Sequence, residues 1–198
     1  MLKRAFDLCI SLILFIVLLP IFIGVMILIK CLMGSPVFFV QERPGKHAKP
    51  FLLYKFRTMS VAVEDNHTSD SGRITFLGEI LRKYSLDEIP QFLNVIKGDM
   101  SLVGPRPLLM EYVTLYSKEQ LKRHLVKPGM TGWAQINGRN QVTWEERFQK
   151  DLWYVQHHSF GLDCKILWLT LIKVIKKEGI NQYNIEPMEK FNGSYKET

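Results

Sequence analysis

Asp87 and Glu88 stand side by side in Tyr84-Ser85-Leu86-Asp87-Glu88-Ile89-Pro90-Gln91. The next residues read as a helix, because Ile89, Phe92, Leu93 and Ile96 fall at i, i+3, i+4 and i+7. Gly98 follows as a stop signal, and Lys97 suits the negative end of the helix dipole. Asp87 has the chemistry of an N-cap and puts Pro90 in the first turn, where a missing N–H is harmless. Two carboxylates at a helix N-terminus would be kept ionised by the free N–H groups, which can also receive phosphate. Two readings stay open on these residues. Asp87 and Glu88 act in catalysis, or Asp87 only caps and Glu88 only complements the dipole. Two arginines bear on the choice. Arg82 lies five residues before Asp87, where its paired N–H donors could hold a diphosphate, or it is a surface cation at a helix C-terminus. In Gly104-Pro105-Arg106-Pro107, prolines restrict φ on both sides of Arg106 and pre-aim its guanidinium, unless it serves only the turn.

The run Ser85-Leu86-Asp87-Glu88-Ile89-Pro90-Gln91, then Asn94-Val95-Ile96-Lys97-Gly98-Asp99-Met100-Ser101, then Gly104-Pro105-Arg106-Pro107 resembles the central signature of the bacterial sugar transferase family. These are monotopic phosphoglycosyl transferases, and the small members resemble this chain from end to end. The resemblance implies transfer of a sugar phosphate from a UDP-sugar to undecaprenyl phosphate, with magnesium. It assigns Asp87 the role of nucleophile. Tyr54-Lys55-Phe56-Arg57-Thr58-Met59 is similar to a second family motif and implies that Lys55 lies near the active site. By itself Lys55 reads as a solvated lysine at a strand end. Trp133-Ala134-Gln135-Ile136-Asn137-Gly138-Arg139-Asn140 is also family-like, with Arg139 on a loop suited to close over a nucleotide sugar. Glu88 is the expected magnesium ligand, since hard divalent ions on phosphates take carboxylate oxygens. The length and the tail Glu189-Lys190-Phe191-Asn192-Gly193 resemble members acting on UDP-diacetylbacillosamine.

Leu8 to Ile29 carries no charge and would form a helix ~33 Å long, enough to cross a bilayer core. It fits a signal peptide badly, because no small-residue cleavage site follows. Pro20 sits near its middle, so a bend is expected. Lys3 and Arg4 precede the block, and Lys30, Arg43, Lys46 and Lys49 follow it. Positive flanks stay cytoplasmic, so positive charge on both sides favours a helix that enters and leaves one leaflet. The family resemblance implies the same, although small members carry Ser-Pro where this chain has Leu19-Pro20. A kinked spanning helix is the alternative.

Val37 to Val40 and Phe51 to Tyr54 are apolar runs separated by Arg43-Pro44-Gly45-Lys46, the pattern of a β-hairpin. Residues 61–72 are polar and read as a loop; 74–84 resume as a short helix; 108–126 read as mostly helical. Thr143-Trp144-Glu145-Glu146 has capping-box form. Leu162, Ile166, Leu169 and Ile172 make a helical stripe beside Trp168, Lys165, Lys173, Lys176 and Lys177. Such a helix lies in a membrane interface or packs in the core. The tail beyond Gly179 reads as weakly ordered. The expected fold is α+β: residues 1–35 a re-entrant membrane helix broken near Pro20, and 36–198 a mostly helical cytosolic catalytic domain with a small β-hairpin and interfacial helices.

The 198 residues carry a net charge of +7, which suits anionic lipid or phosphate-rich substrates. Nucleic acid ranks last, for want of zinc-finger spacing or a dense basic tract. Three scattered cysteines, Cys9, Cys31 and Cys164, exclude a disulfide framework and suit a reducing compartment. The expected place is the cytosolic face of a bacterial inner membrane. A non-catalytic adaptor on anionic lipid also explains the charge and the apolar block, but not Asp87 and Glu88 beside arginines. A sugar transferase releasing UDP ranks lower, because no convincing Asp-x-Asp element is present.

Overall fold

The apolar N-terminal block is one helix, α1, Leu2–Met33, with Pro20 inside it rather than at a break. The proline removes one hydrogen bond, and the bonds around it still carry the helix through. It is long and apolar enough to cross a membrane. The computed structural model describes residues 2–60, 70–138, 143–176 and 190–193. Within these, the chain continues as strand β1 (Phe38–Pro44), strand β2 (Pro50–Phe56), helix α2 (Phe76–Lys83), helix α3 (Gln91–Lys97), strand β3 (Ser101–Val103), strand β4 (Gly129–Thr131), helix α4 (Trp133–Ile136), helix α5 (Trp144–His157) and helix α6 (Phe160–Lys176).

The expected hairpin is present. β1 and β2 pair antiparallel from Phe38–Phe56 to Pro44–Pro50. Phe38 and Phe56 stack at 5.5 Å, and Phe22 of α1 closes on Phe56 at 5.0 Å. The far edge of β2 is occupied by one side chain. Asn94 of α3 accepts from the Tyr54 N–H (3.1 Å) and donates to the Leu52 carbonyl (2.7 Å), as a neighbouring strand would. Asn94 is fully buried, and through it α3 is fixed to β2.

A second sheet joins β3 and β4 in parallel, a pairing the sequence did not disclose. Its residues touch backbone to backbone at glycines. A Cβ on Gly129 would lie 2.1 Å from the Gly104 nitrogen, and one on Gly132 would lie 2.2 Å from the Gly104 carbonyl oxygen. Only residues without a side chain permit that approach.

Both ends of α1 are tied to the same body. Near the start, Arg4 donates to the Val95 and Ile96 carbonyls at the end of α3, and Lys3 pairs with Asp163 of α6. Buried Asp7 accepts from the Ser101 hydroxyl at 2.8 Å. At the other end, Arg57 donates to the carbonyls of Met33, Gly34 and Ser35, satisfying groups that a helix end leaves open.

Other expectations change. Residues 108–126 are not a regular helix but two 3-10 segments, Met110–Leu115 and Gln120–Leu125. The sequence there has no sustained apolar period, and Pro105 and Pro107 precede it. Of the expected loop at 61–72, residues 61–69 lie outside the described residues and the rest enters a 3-10 turn, Asp70–Arg73; the Ser60 N–H bonds to the Arg73 carbonyl at 2.8 Å. Thr143 and Glu146 do form the capping box of α5. α6 buries Ile166 completely yet exposes Trp168, Leu171 and Val174, so it has a core face and a second apolar face. Most of the tail lies outside the described residues, but Phe191 is buried against Tyr112, Tyr116 and Phe148.

Gly129→Ala should lower the melting temperature by roughly 3–10 °C, the expected cost of overpacking in a chain of this size. Gly161→Ala, whose Cβ meets nothing within 4 Å, should not lower it. Circular dichroism melts of the two in detergent check this.

Candidate active site

Lys55 projects from β2 next to buried Phe56, which faces the other way. Asp87 and Glu88 come from the turn between α2 and α3. Ser85 adopts a left-handed conformation (φ 55°) that redirects the chain, and Leu86–Glu88 form one 3-10 turn. Asp87 is therefore not the N-cap of a helix. α3 begins at Gln91 with Pro90 as its cap, and the N–H groups of Glu88, Ile89 and Phe92 already bond to Ser85, Leu86 and Ile89 carbonyls. The expected N–H groups for phosphate are thus taken, and the cationic side chains must do that work. The sequence misled here because the apolar spacing is unbroken across Ile89 and Pro90, while the Ser85 turn leaves no period to read.

Glu88 Oε1 accepts from Lys55 Nζ and from Arg106 Nη2, each at 2.7 Å. Lys55 also approaches Asp87 Oδ2 at 3.5 Å, so one ammonium serves both carboxylates. Burial acts to raise the pKa of Glu88, but the charges of Arg106 and Lys55 and their hydrogen bonds outweigh it and hold Glu88 well below the usual carboxylate range. Asp87 is different. Burial raises it most, Glu88 adds to the rise, and the opposing pull of Lys55, Arg106 and Arg82 does not cancel them. Arg106, whose side chain is still 42% exposed, is raised chiefly by the charge of Glu88. The two neighbours are thereby pushed apart: a locked anion at Glu88 and a loosely held, less acidic carboxyl at Asp87.

Arg82 reaches the same site from α2. Its Nε donates to the Thr58 hydroxyl at 3.0 Å, and its charge acts on Asp87. Thr58 is in turn placed by Gly78, where a Cβ would sit 1.9 Å from the Thr58 carbonyl oxygen. Sequence reasoning passed over Thr58 and Gly78. The available signal was the position of Thr58 three residues beyond Lys55 in one motif. Arg106 sits on a loop held by Gly104 N–H to the Thr131 carbonyl (2.9 Å) and Gly129 N–H to the Pro105 carbonyl (3.0 Å). Thus Lys55, Arg82, Asp87, Glu88 and Arg106 converge, while Arg139 lies outside the described residues.

Among the described residues no group of three or more His, Cys, Asp or Glu side chains could form a protein cage for a metal. Glu88, through its second oxygen, suits an ion that arrives on phosphates, because magnesium keeps its waters and takes as few as one carboxylate.

The signs of these shifts are opposite. Glu88 stabilises the fold above its ordinary value of 4.5, and that contribution is lost as pH falls towards its depressed value. Asp87 costs stability as pH rises from 3.8 through its raised value. Lys55→Met removes the largest opposing charge, so Asp87 should titrate at higher pH. Carbon NMR of protein labelled at aspartate carboxyls reads this directly; an unmoved Asp87 resonance would contradict the assignment.

The bacterial sugar transferase family model matches residues 1–177. The uncharacterized sugar transferase EpsL of Bacillus subtilis is 53% identical over 195 residues, covering 98% of this chain and 96% of its own. The UDP-glucose:undecaprenyl-phosphate glucose-1-phosphate transferase of Escherichia coli is 39% identical over 185 residues, covering 87% of this chain and 40% of its own. The undecaprenyl-phosphate galactose phosphotransferase of Salmonella typhimurium is 36% identical over 197 residues, covering 90% of this chain and 41% of its own. The chain thus spans about two fifths of the latter two relatives and nearly all of the first. With the family match running from α1 through α6 and embracing the whole Lys55–Asp87–Glu88–Arg106 cluster, this chain belongs to the bacterial sugar transferase family.

Proposed function

We propose that this phosphoglycosyl transferase moves a sugar phosphate from a UDP-sugar to undecaprenyl phosphate and releases UMP, with Asp87 as nucleophile. The carrying observation is the unequal setting of the two carboxylates: one oxygen of Glu88 accepts from both Lys55 and Arg106 at 2.7 Å, while Asp87 meets Lys55 only at 3.5 Å. A nucleophile must be free to attack; a positioning anion need not be.

An Asp87 oxygen attacks the β-phosphorus of the UDP-sugar. The bond from that phosphorus to the oxygen bridging the two phosphates breaks, and UMP leaves with the electron pair. An oxygen of undecaprenyl phosphate then attacks the same phosphorus. The aspartyl–phosphorus bond breaks, the carboxylate is restored, and the product is an undecaprenyl diphosphate sugar. Lys55, Arg82 and Arg106 neutralise the diphosphate that would otherwise repel Asp87. Glu88 holds Lys55 and Arg106 in place. Arg139 is assigned to the nucleotide sugar. Magnesium, held by the second oxygen of Glu88, would supply further positive charge on the phosphates.

The membrane reading is a helix that dips into one leaflet, with both ends on the cytosolic side of a bacterial inner membrane. Its two ends are anchored to one catalytic body, through Arg4 and Asp7 at the start and Arg57 at the finish. Ser11 and Ile29, both 0% exposed, each lie about two and a half turns from Pro20, so Pro20 faces away from the protein. A proline opens the turn on its own side, which folds the two halves towards the protein. Ile16 and Val17, near the apex, are 66% and 65% exposed and suit lipid. The exposed Trp168, Leu171 and Val174 of α6, with Lys165 and Lys176 alongside, suit the membrane interface. An adaptor on anionic lipid would use these surfaces, but it gives no reason for the paired carboxylates and their cations.

With undecaprenyl phosphate withheld, mass spectrometry should find one sugar phosphate on the peptide containing Asp87. Asp87→Asn should abolish both that adduct and UMP release, and Glu88→Gln should lower turnover about 100-fold or more. Full turnover by Asp87→Asn would sink the mechanism. Undiminished turnover in excess chelator would remove magnesium. A panel of UDP-glucose, UDP-galactose and N-acetylated UDP-sugars, UDP-diacetylbacillosamine among them, identifies the donor.

A second experiment tests the membrane reading. In a chain stripped of its three cysteines, single cysteines at Leu2 and at Leu32 should both be shielded from an impermeant maleimide added outside intact cells. Labelling of one and not the other means that the helix spans.

A further inference from the structure

Arg106 touches Glu88 with its side chain, and its main chain is held by a second arginine. Arg123, in the segment Gln120–Leu125, is 2% exposed, and its Nη2 donates to the Arg106 carbonyl oxygen at 2.8 Å. The same guanidinium is fixed on its other sides. Nε and Nη2 donate to Asp151 Oδ2 of α5 at 3.2 and 2.7 Å, and Nη1 donates to the Tyr116 hydroxyl at 3.3 Å. The rings of Tyr116 and Phe148 stand 5.7 and 5.6 Å from its central carbon. On the next residue of the loop, Arg43 of β1 approaches the Pro107 carbonyl at 3.5 Å.

A buried ion pair is weak evidence of stabilisation, because desolvation offsets its attraction and an apolar pair often serves as well. Simple core filling therefore does not account for Arg123. What an apolar residue cannot do is donate to a carbonyl. That donated bond falls on the residue whose guanidinium meets Glu88, between two prolines that leave its backbone little other freedom.

We propose that Arg123, itself aimed by Asp151, is a positioning residue that fixes the Arg106 guanidinium against Glu88. This rests on the proposed transferase reading. The line runs from Asp151 in α5 through Arg123 to the Arg106 carbonyl, then through the Arg106 side chain to Glu88, Lys55 and Asp87. Without Arg123 the loop keeps its backbone bonds to Thr131 and Gly129, but the guanidinium loses its fixed aim. Misplacement by an ångström or so costs about 100-fold when orientation is what the site supplies. The loss falls on kcat rather than on KM, because the donor still binds through Lys55 and Arg82.

The test uses the full chain in detergent with undecaprenyl phosphate and the donor that the panel identifies. The double variant Arg123→Met with Asp151→Leu replaces the ion pair by apolar side chains of similar bulk. Its melting transition should persist, with kcat down about 10- to 100-fold and KM within about threefold. Arg123→Lys keeps a charge beside Asp151 but cannot fork to both partners, and it should show the same split. Folded variants with parental kcat overturn the proposal. So does a loss of activity that tracks loss of the melting transition, which assigns the pair to stability alone. If the parent chain releases no UMP, the transferase reading fails; if the parent does and the variants equal it, only the positioning role fails.

Discussion

One oxygen of Glu88 accepts from two cations, and the site's geometry depends on that shared contact. Lys55 arrives from β2, 33 residues earlier, and Arg106 from the loop after β3, 18 residues later. Three segments are therefore joined at a single atom. The side chains of Lys55 and Glu88 are each 20% exposed, so water does little to screen them and the loss of any one partner would leave an uncompensated charge. The same contact sets the character of Asp87. With Lys55 and Arg106 committed to Glu88, Asp87 is left with a longer approach, and burial above all raises its pKa; on the proposed reading this suits a group that must first be free and then carry a phosphate.

Each arm of this junction is held at the level of the main chain. β2 is fixed by Phe38 and by the Asn94 amide that stands in for a missing strand. The Arg106 loop is fixed by glycine contacts too close for any side chain, and by Arg123 on its carbonyl. Arg82 is fixed through Thr58, which packs on Gly78. The polar groups of the cluster are supported by bonds to carbonyls and hydroxyls as well as by apolar packing. A hydrogen bond specifies direction where dispersion does not.

The helix α1 couples this site to its surroundings. Arg4 covers the end of α3, which follows directly from the Asp87–Glu88 turn, and Arg57, two residues beyond Lys55, covers the end of α1. On the proposed reading these short connections keep the carboxylates near the plane where a lipid phosphate would sit. A soluble donor and a lipid acceptor can then use one site in succession.

Much of this was legible in the chain. The charge-free run with Pro20, the two apolar runs around Arg43-Pro44-Gly45-Lys46, the Thr143–Glu146 capping box and the stripe of α6 are local patterns, and local patterns report local structure. The resemblance carried by Asp87, Glu88, Lys55 and Arg106 pointed to the family and the cluster. Other features arose only from tertiary structure. That Asp87 sits in a 3-10 turn rather than capping a helix depends on the left-handed Ser85 and on what packs around it. The parallel pairing of β3 with β4 joins runs of three residues too short to show a period. The bonds from Arg123 to the Arg106 carbonyl and from Arg82 to Thr58 link residues 17 and 24 apart through single atoms. Spacing along a chain records which side chains share a face of one element. It does not record which donor, once two elements have packed, lies within reach of which acceptor.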